Sequence, residues 1–459
     1  MSATDYSHVL ERLERRGSYE RTAAPRDLSK LEGIRTLLRD LGNPEQNFQV
    51  VHVAGTNGKG LTSTMFARLL QHEGFRTGCY TSPHLADIRE RITLDGEWVS
   101  QECFARNAEA VLDLSETYGD EPYLSYFDLL TATAFLAFRD AGCEWVVLET
   151  GIGGRADSTN VTDKALAILT PIGLDHQAVL GDTLEQIALE KLGITRYGVP
   201  LVSATQASGL KEWLKRECRN LGVPLTTTNM VLPLVQDGKL HLHWWDRGHT
   251  ILPGEAPSQP WLECFRTSLL ALEVLFPRGP RGRQPRAEAI WDTRLSGRLD
   301  RRQAVRMGMQ SFGEVVLDGG HNPDSLSALA NQLQQWGISD YTLIVGMASD
   351  KLVDAVQAPL QVLVGKARQT LVVPIPSPRT ATPKALTQLL GNADLPKAFP
   401  PLSQKRVRGD FTVAGFPDLE SALAKAGQYP ERPLVITGSF YLVGEALRQM
   451  EGSSAQKKV

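Results

Sequence analysis

The stretch Val53-Ala54-Gly55-Thr56-Asn57-Gly58-Lys59-Gly60 closes an apolar run of strand character, Phe48 to Val53, and opens a run of helix character, Leu61 to His72. A glycine-rich turn between a strand and a helix aims several backbone N–H groups and a helix N-terminus at one place, which suits phosphate oxygens. Lys59 adds a mobile positive charge. A phosphate loop of this kind usually offers magnesium a hydroxyl just after its lysine, whereas here Leu61 stands two residues after Lys59. The stretch predicts an α/β sheet with phosphate binding at its edge and leaves hydrolytic competence to other residues.

Outward from this loop, 459 residues with 42% apolar and 22% charged content supply material for two or three cores. The net charge of -3 gives no nucleic-acid footprint, since such proteins concentrate basic charge on one face. The basic stretch Arg278 to Arg286 is rich in Gly and Pro, so it reads as a solvated linker rather than a helix or a binding patch. Five cysteines, Cys79, Cys103, Cys143, Cys218 and Cys264, are odd in number, widely spaced and free of any CxxC pair. That pattern argues against a disulfide framework or a zinc site and fits a reducing compartment. No apolar run approaches the roughly 20 residues of a membrane span, and the polar N-terminus carries no leader pattern. The expectation is a cytoplasmic protein without membrane or nucleic-acid partners.

Short β-rich runs alternate with amphipathic helical patterns along most of the chain, which predicts a doubly wound, mostly parallel sheet. The expected strands are 48–54, 75–81, 144–150, 165–172 and 199–204, with helices at 61–73, 100–117, 127–141, 184–193 and 208–221. Two alternating runs around Asp237-Gly238-Lys239 predict a hairpin inserted at a sheet edge. After a helix at 261–276, strand and helix patterns restart. The expected division is a phosphate-loop domain over 1–296, a smaller Rossmann-like α/β domain over 297–450 and a disordered tail over 451–459.

Ligands of open α/β sheets gather outside the carboxyl ends of the strands. Besides the loop, Thr81-Ser82-Pro83-His84, Glu149 and Gly173-Leu174-Asp175-His176 all fall at such ends. Magnesium bound to a nucleotide takes one or two protein oxygens and fills its remaining positions with phosphate and water. Glu149 suits it as an anionic ligand and Ser82 as a neutral one. His176 by itself reads as a structural histidine, and Lys191 as a solvated lysine on the amphipathic face of Leu184 to Lys191.

Nine ordered blocks carry a resemblance: HVAGTNGKG (52–60), YTSPHL with ERI (80–85, 90–92), SYFDLLTATAF (125–135), ETGIGGRADSTN (149–160), GLDH with LGDT and EKLGI (173–194), SGRLD (296–300), LDGGHNP (317–323), VGMASDK (345–351) and TGSFYLVGE (437–445). Through them the chain resembles the folylpolyglutamate synthase/dihydrofolate synthase family, relatives of the Mur ligases. The resemblance implies ATP-dependent amide formation: a dihydropteroate or folate carboxylate takes the γ-phosphoryl group, and the amine of L-glutamate attacks the acyl phosphate. It implies that Gly55, Thr56, Asn57, Gly58, Lys59, Gly60 and Leu61 surround the ATP phosphates. Ser82 and Glu149 would hold one Mg²⁺ and His176 a second. Lys191 would match the lysine that the family carbamylates, and with Lys59 and His176 it would serve catalysis. Arg298, Asp318 and His321, with Cys264, would lie at the nucleotide. Ser125, Tyr126, Phe127, Asp128, Ala156, Asp157 and Ser158 would line the pterin side. The family usually works as a monomer on small molecules.

The sequence departs from the family at two positions. Ser or Thr is usual at the place of Leu61, so a hydroxyl is missing, and Thr62 or Ser63 would replace it if the helix start shifts. An Asn usually faces the nucleotide where Cys264 stands. The stretch from Arg298 to Asp318 is also longer than usual, which predicts an extended hairpin. Three competing readings stay open. A Mur-type ligase would place a whole substrate domain ahead of the loop, where only about fifty residues precede Gly55. A catalytically impaired paralogue is motivated by Leu61 and Cys264, and a plain NTPase switch gains nothing from the other blocks.

Overall fold

The computed structural model describes residues 5–15, 30–119, 124–254, 256–277, 282–391 and 412–455. The chain forms two compact units, one of Met1–Pro83 with Ile88–Thr293 and one of His84–Asp87 with Arg294–Val459.

In the first unit, α1 (Tyr6–Arg15) and α2 (Lys30–Asp40) lead into β1 (Gln49–Ala54), the phosphate loop and α3 (Lys59–His72). Then come β2 (Thr77–Tyr80), β3 (Ile92–Leu94), β4 (Glu97–Trp98), α4 (Gln101–Thr117), α5 (Tyr126–Asp140) and β5 (Trp145–Glu149). The next elements are β6 (Leu166–Leu169), α6 (Gln177–Leu180), α7 (Leu184–Leu192), β7 (Leu201–Ser203), α8 (Ser208–Asn220) and β8 (Leu225–Thr227). These strands make one sheet of order β4-β3-β2-β5-β1-β6-β7-β8, parallel from β2 to β8.

β1 is central because nearly all its residues are apolar and both of its faces are covered. Val50 packs with Phe104 and Phe135 on one side, while Val51 and Val53 meet Met65 and Phe66 of α3 on the other. Ser125 caps α5 through a reciprocal capping box with Asp128, and α5 is buried from Tyr126 through Phe138.

The expected edge hairpin is instead part of a separate three-stranded antiparallel sheet, β9 (Val231–Gln236), β10 (Lys239–Trp244) and β11 (His249–Pro253), in the order β11-β10-β9. Its alternation puts Leu240, Leu242, Trp244 and Leu252 into the core shared with Trp261 and Phe265 of α9 (Gln259–Leu275). Side-chain burial, rather than strand pairing with the main sheet, anchors it.

The basic stretch is also corrected. α10 (Arg283–Trp291) begins inside it, and Arg286 is 1% exposed, so it is no solvated linker residue; 278–281 lie outside the described residues. Two carboxylates replace the lost water: Arg286 Nε donates to Glu73 at 2.8 Å and Nη1 to Glu273 at 2.7 Å. Arg283 also donates to Glu273, at 3.2 Å, and lies over the ring of Trp244.

The second unit runs β12 (Asp300–Met307), β13 (Gln310–Asp318), α11 (Pro323–Gln335), β14 (Tyr341–Val345), α12 (Asp354–Lys366) and β15 (Ala367–Val372). It continues with α13 (Pro383–Gly391), β16 (Thr412–Gly415), α14 (Leu419–Ala426), β17 (Leu434–Thr437) and α15 (Phe440–Ala455). The sheet order is β12-β13-β17-β14-β15-β16, with β12 and β13 as the extended antiparallel hairpin. α11, α12 and α13 cover one face and α14 and α15 the other. The last helix continues to Ala455, past the expected start of the tail at 451, since no proline interrupts it; 456–459 lie outside the described residues.

Candidate active site

The phosphate loop starts where the chain passes close over β6. A Cβ on Gly55, whose φ is +151°, would meet Thr170 Oγ1 at 1.8 Å, so only glycine fits there. The amides of Thr56 and Asn57 donate to the Pro171 carbonyl at 3.0 and 3.3 Å. The Thr56 hydroxyl bonds both the N–H and the carbonyl of Gly173, each at 3.1 Å. These two residues therefore tie the loop to the end of β6. Gly58, with φ +87°, caps α3, and the amides of Lys59, Gly60 and Leu61 begin the helix, where no intrahelical acceptor exists for them. Those are the donors suited to an anion.

Ser82 and Glu149 meet at the carboxyl ends of β2 and β5: the Ser82 N–H donates to Glu149 Oε2 at 2.9 Å. Both are buried. Among the described residues no group of three or more His, Cys, Asp or Glu side chains is arranged around a metal. The donor set on hand, one carboxylate beside one serine, is the sparse kind that suits magnesium delivered with phosphates. His176 sits in a left-handed conformation, φ +51°, at the start of α6. Its amide donates to Asp175 at 2.8 Å.

Lys191 overturns the solvated reading. It is 4% exposed, and its Nζ donates to the Gly55 carbonyl at 2.7 Å. Burial first, and then the charge of Lys59, pull its pKa down to about 7 against the opposing pull of Asp175 and Asp157. α7 is held at this spot by its own N-terminal capping box, Thr183 with Gln186. Gly154 completes the fit, since a Cβ there would strike the Lys191 carbonyl at 2.8 Å.

Ser125, Asp128 and Ser158 form one network. The Ser125 hydroxyl donates to Asp128 Oδ2 at 2.6 Å, and that of Ser158 to Asp128 Oδ1 at 2.5 Å. The ring of Phe127 lies beneath Gly151 and Tyr126 is buried, while Ala156 is half-buried in the loop above. Asp157 is fully enclosed and accepts from the amides of Gly151, Ile152 and Thr159. It organises the loop from behind.

Leu61 packs against the core that α3 shares with α9. Thr62 and Ser63 are fully buried, and their hydroxyls bond no other group among the described residues. Cys264 lies with its Sγ 3.6 Å from the Gly58 carbonyl and is buried. Leu61→Ser is expected to lower the KM for MgATP by about three- to tenfold, the worth of one hydrogen bond. It should also cost about 1–2 kcal/mol of stability for the half-buried leucine. Steady-state kinetics with a urea titration checks both, and an unchanged KM would mean that the hydroxyl is dispensable.

On the second unit, Asp318 ends β13 and accepts from the amides of Leu299 and Gly320, both at 2.8 Å. Burial pushes its carboxyl up, opposed by those amides, Arg298 and His321. Arg298 lies over the Phe440 ring at 4.1 Å, and His321 meets the same ring edge-on at 5.5 Å. Phe440, within TGSFYLVGE, carries no polar group that would single it out in the sequence, yet it is the ring that both residues meet. Thr170 and Pro171 also escape a reading of the sequence, since they anchor the loop through close approach and a main-chain carbonyl that no motif reports.

A family model described as "Dihydrofolate synthetase, C-terminal domain" matches residues 303–449. Folylpolyglutamate synthase of Lacticaseibacillus casei is 29% identical over 97% of this chain and 96% of its own length. Dihydrofolate synthase/folylpolyglutamate synthase of Bacillus subtilis is 31% identical over 66% of this chain and 71% of its own. Among solved structures, E. coli FolC in complex with DHPP and ADP has a TM-score of 0.77 at 25% identity, covering 99% of each chain. With its phosphate loop, the Ser82–Glu149 pair and Lys191 at one sheet edge, this chain belongs to the folylpolyglutamate synthase/dihydrofolate synthase family of ATP-dependent ligases.

Proposed function

We propose that the protein joins L-glutamate to a carboxylate of dihydropteroate or a folate, using ATP and passing through an acyl phosphate. The observation that carries this reading is Lys191, a buried amine held 2.7 Å from the carbonyl of the phosphate loop's first glycine. The complex of E. coli FolC with DHPP and ADP supports a site that takes a nucleotide together with a second small molecule.

A carboxylate is a poor electrophile at neutral pH, so it must be activated before an amine can attack. Little covalent work falls to the protein in phosphoryl transfer; position and charge do most of it. The helix start at Lys59 to Leu61 and the Lys59 ammonium hold the phosphates and meet the negative charge that grows on the transferring group. Ser82 and Glu149 would hold one Mg²⁺ and His176 a second, and the ions would neutralise phosphate charge. With a pKa of about 7, Lys191 is substantially neutral at physiological pH. A neutral amine can add CO₂ and release one proton, leaving an anionic carbamate in place of the neutral amine. Ser125, Asp128, Ser158 and the ring of Phe127 offer an acidic and aromatic wall to the pterin, with Tyr126 and Ala156 beside it. Arg298, Asp318 and His321 are assigned to the nucleotide. No disulfide joins any cysteine, and no described helix is long and apolar enough to cross a membrane. Both support a cytoplasmic enzyme, which we take to act as a monomer.

Labelling the substrate carboxylate with ¹⁸O tests the acyl phosphate. One labelled oxygen should appear in the phosphate released per amide formed. Phosphate without label would exclude activation at the carboxylate.

A further inference from the structure

On the β1 face opposite α3 lies a buried polar cluster that the proposed chemistry does not use. His52 is an imidazole inside an otherwise apolar strand, fully enclosed. Its Nε2 is 2.8 Å from Thr159 Oγ1, and that hydroxyl is 2.6 Å from Asp157 Oδ1. A carboxylate only accepts, so the Thr159 hydroxyl donates to Asp157 and accepts from His52 Nε2–H. That order of donors leaves His52 Nδ1 as an acceptor, and Lys164 Nζ faces it at 3.5 Å. Lys164 also donates to Asn160 Oδ1 at 2.6 Å.

The cluster reaches the site by two arms. Through Thr159 it holds Asp157, whose other oxygen takes the amides of Gly151 and Ile152, at 3.0 and 3.1 Å, the second and third residues after Glu149. Through Asn160 it holds the Arg155 and Gly193 carbonyls, at 2.9 and 3.0 Å, the latter two residues beyond Lys191. We infer that His52 and Lys164 are positioning residues for ligation, fixing from below both the turn that carries Glu149 and the helix end that carries Lys191. Burial and the neighbouring Lys164 and Arg196 hold the imidazole neutral, in keeping with the donor order. This inference rests on the ligase reading of the site.

Full-length His52→Leu, His52→Gln and Thr159→Val are compared with wild type in ligation kinetics and in amide hydrogen exchange of peptides spanning residues 150–153. His52→Leu should lower kcat by about 10- to 100-fold, the usual effect of removing a group that orients a ligand, with KM for ATP changed by less than about threefold. The amides of Gly151 and Ile152 should exchange faster. His52→Gln, which keeps an N–H aimed at Thr159, should recover most of kcat and protection. If His52→Leu does not fold, Thr159→Val, nearly isosteric, carries the comparison with the same expectation. Folded variants with wild-type kcat and exchange overturn the inference. A wild-type chain that ligates nothing overturns the ligase reading instead, and the exchange data then decide alone: faster exchange in the variants supports the coupling and unchanged exchange refutes it.

Discussion

Lys191→Ala lowers kcat by roughly 10²- to 10³-fold, the scale of losing one preorganised charge at a reacting phosphate. The expectation follows from burial. An ordinary lysine, with pKa near 10.4, is only about 0.4% neutral at pH 8, too little to hold CO₂ readily. Lys191, at about 7, is mostly neutral there. Recovery of CO₂-depleted enzyme at a fixed concentration of dissolved CO₂ should therefore speed up with pH, with a midpoint about 7, and level off above 8. Lys191→Ala should not respond to bicarbonate at all. Stability should move the same way with pH. The folded pKa lies below the unfolded value, so between about 7 and 10 the unfolded chain binds more protons and unfolding becomes costlier as pH rises. A Lys191→Ala enzyme with full activity in CO₂-free buffer would remove Lys191 from the mechanism.

Arg286→Met destabilises the first unit by about 3–5 kcal/mol, because it leaves buried carboxylates without their cation. Glu73 loses the partner that donates to it at 2.8 Å and Glu273 loses one at 2.7 Å, although Arg283 still reaches Glu273. These bonds join the end of α3 to α9 and α10, so the loss falls on the helix that opens at the phosphate loop. Urea unfolding measures it as a shift in midpoint at constant slope. A loss below about 1 kcal/mol is what an exposed pair would give, and it would contradict the burial.

How far the fold was readable follows from these same residues. β1, the loop and α3 are legible because an apolar run, three glycines and a helical run follow one another without interruption. The small sheet was legible as a hairpin but not in its docking, which depends on α9 and α10 far along the chain. Arg286 misled because Gly and Pro dominate its neighbours, and local composition says nothing of carboxylates on two other helices. Lys191 misled for a related reason. On one amphipathic helix a lysine reads as solvent-facing, and only the passage of Gly55 and Gly154 beside α7 encloses it. His52 carried a local signal, a polar ring in a buried strand, but its partners come from the loop after β5 and are known only once the sheet order is.

The most direct test of the ligase is the reaction itself. Purified full-length protein is given ATP, Mg²⁺ and ¹⁴C-glutamate, with dihydropteroate in one reaction and tetrahydrofolate in another. Label should enter a pterin product in at least one of them, with one ADP and one phosphate released per amide formed. ATP binding without any labelled product in either reaction would contradict the account.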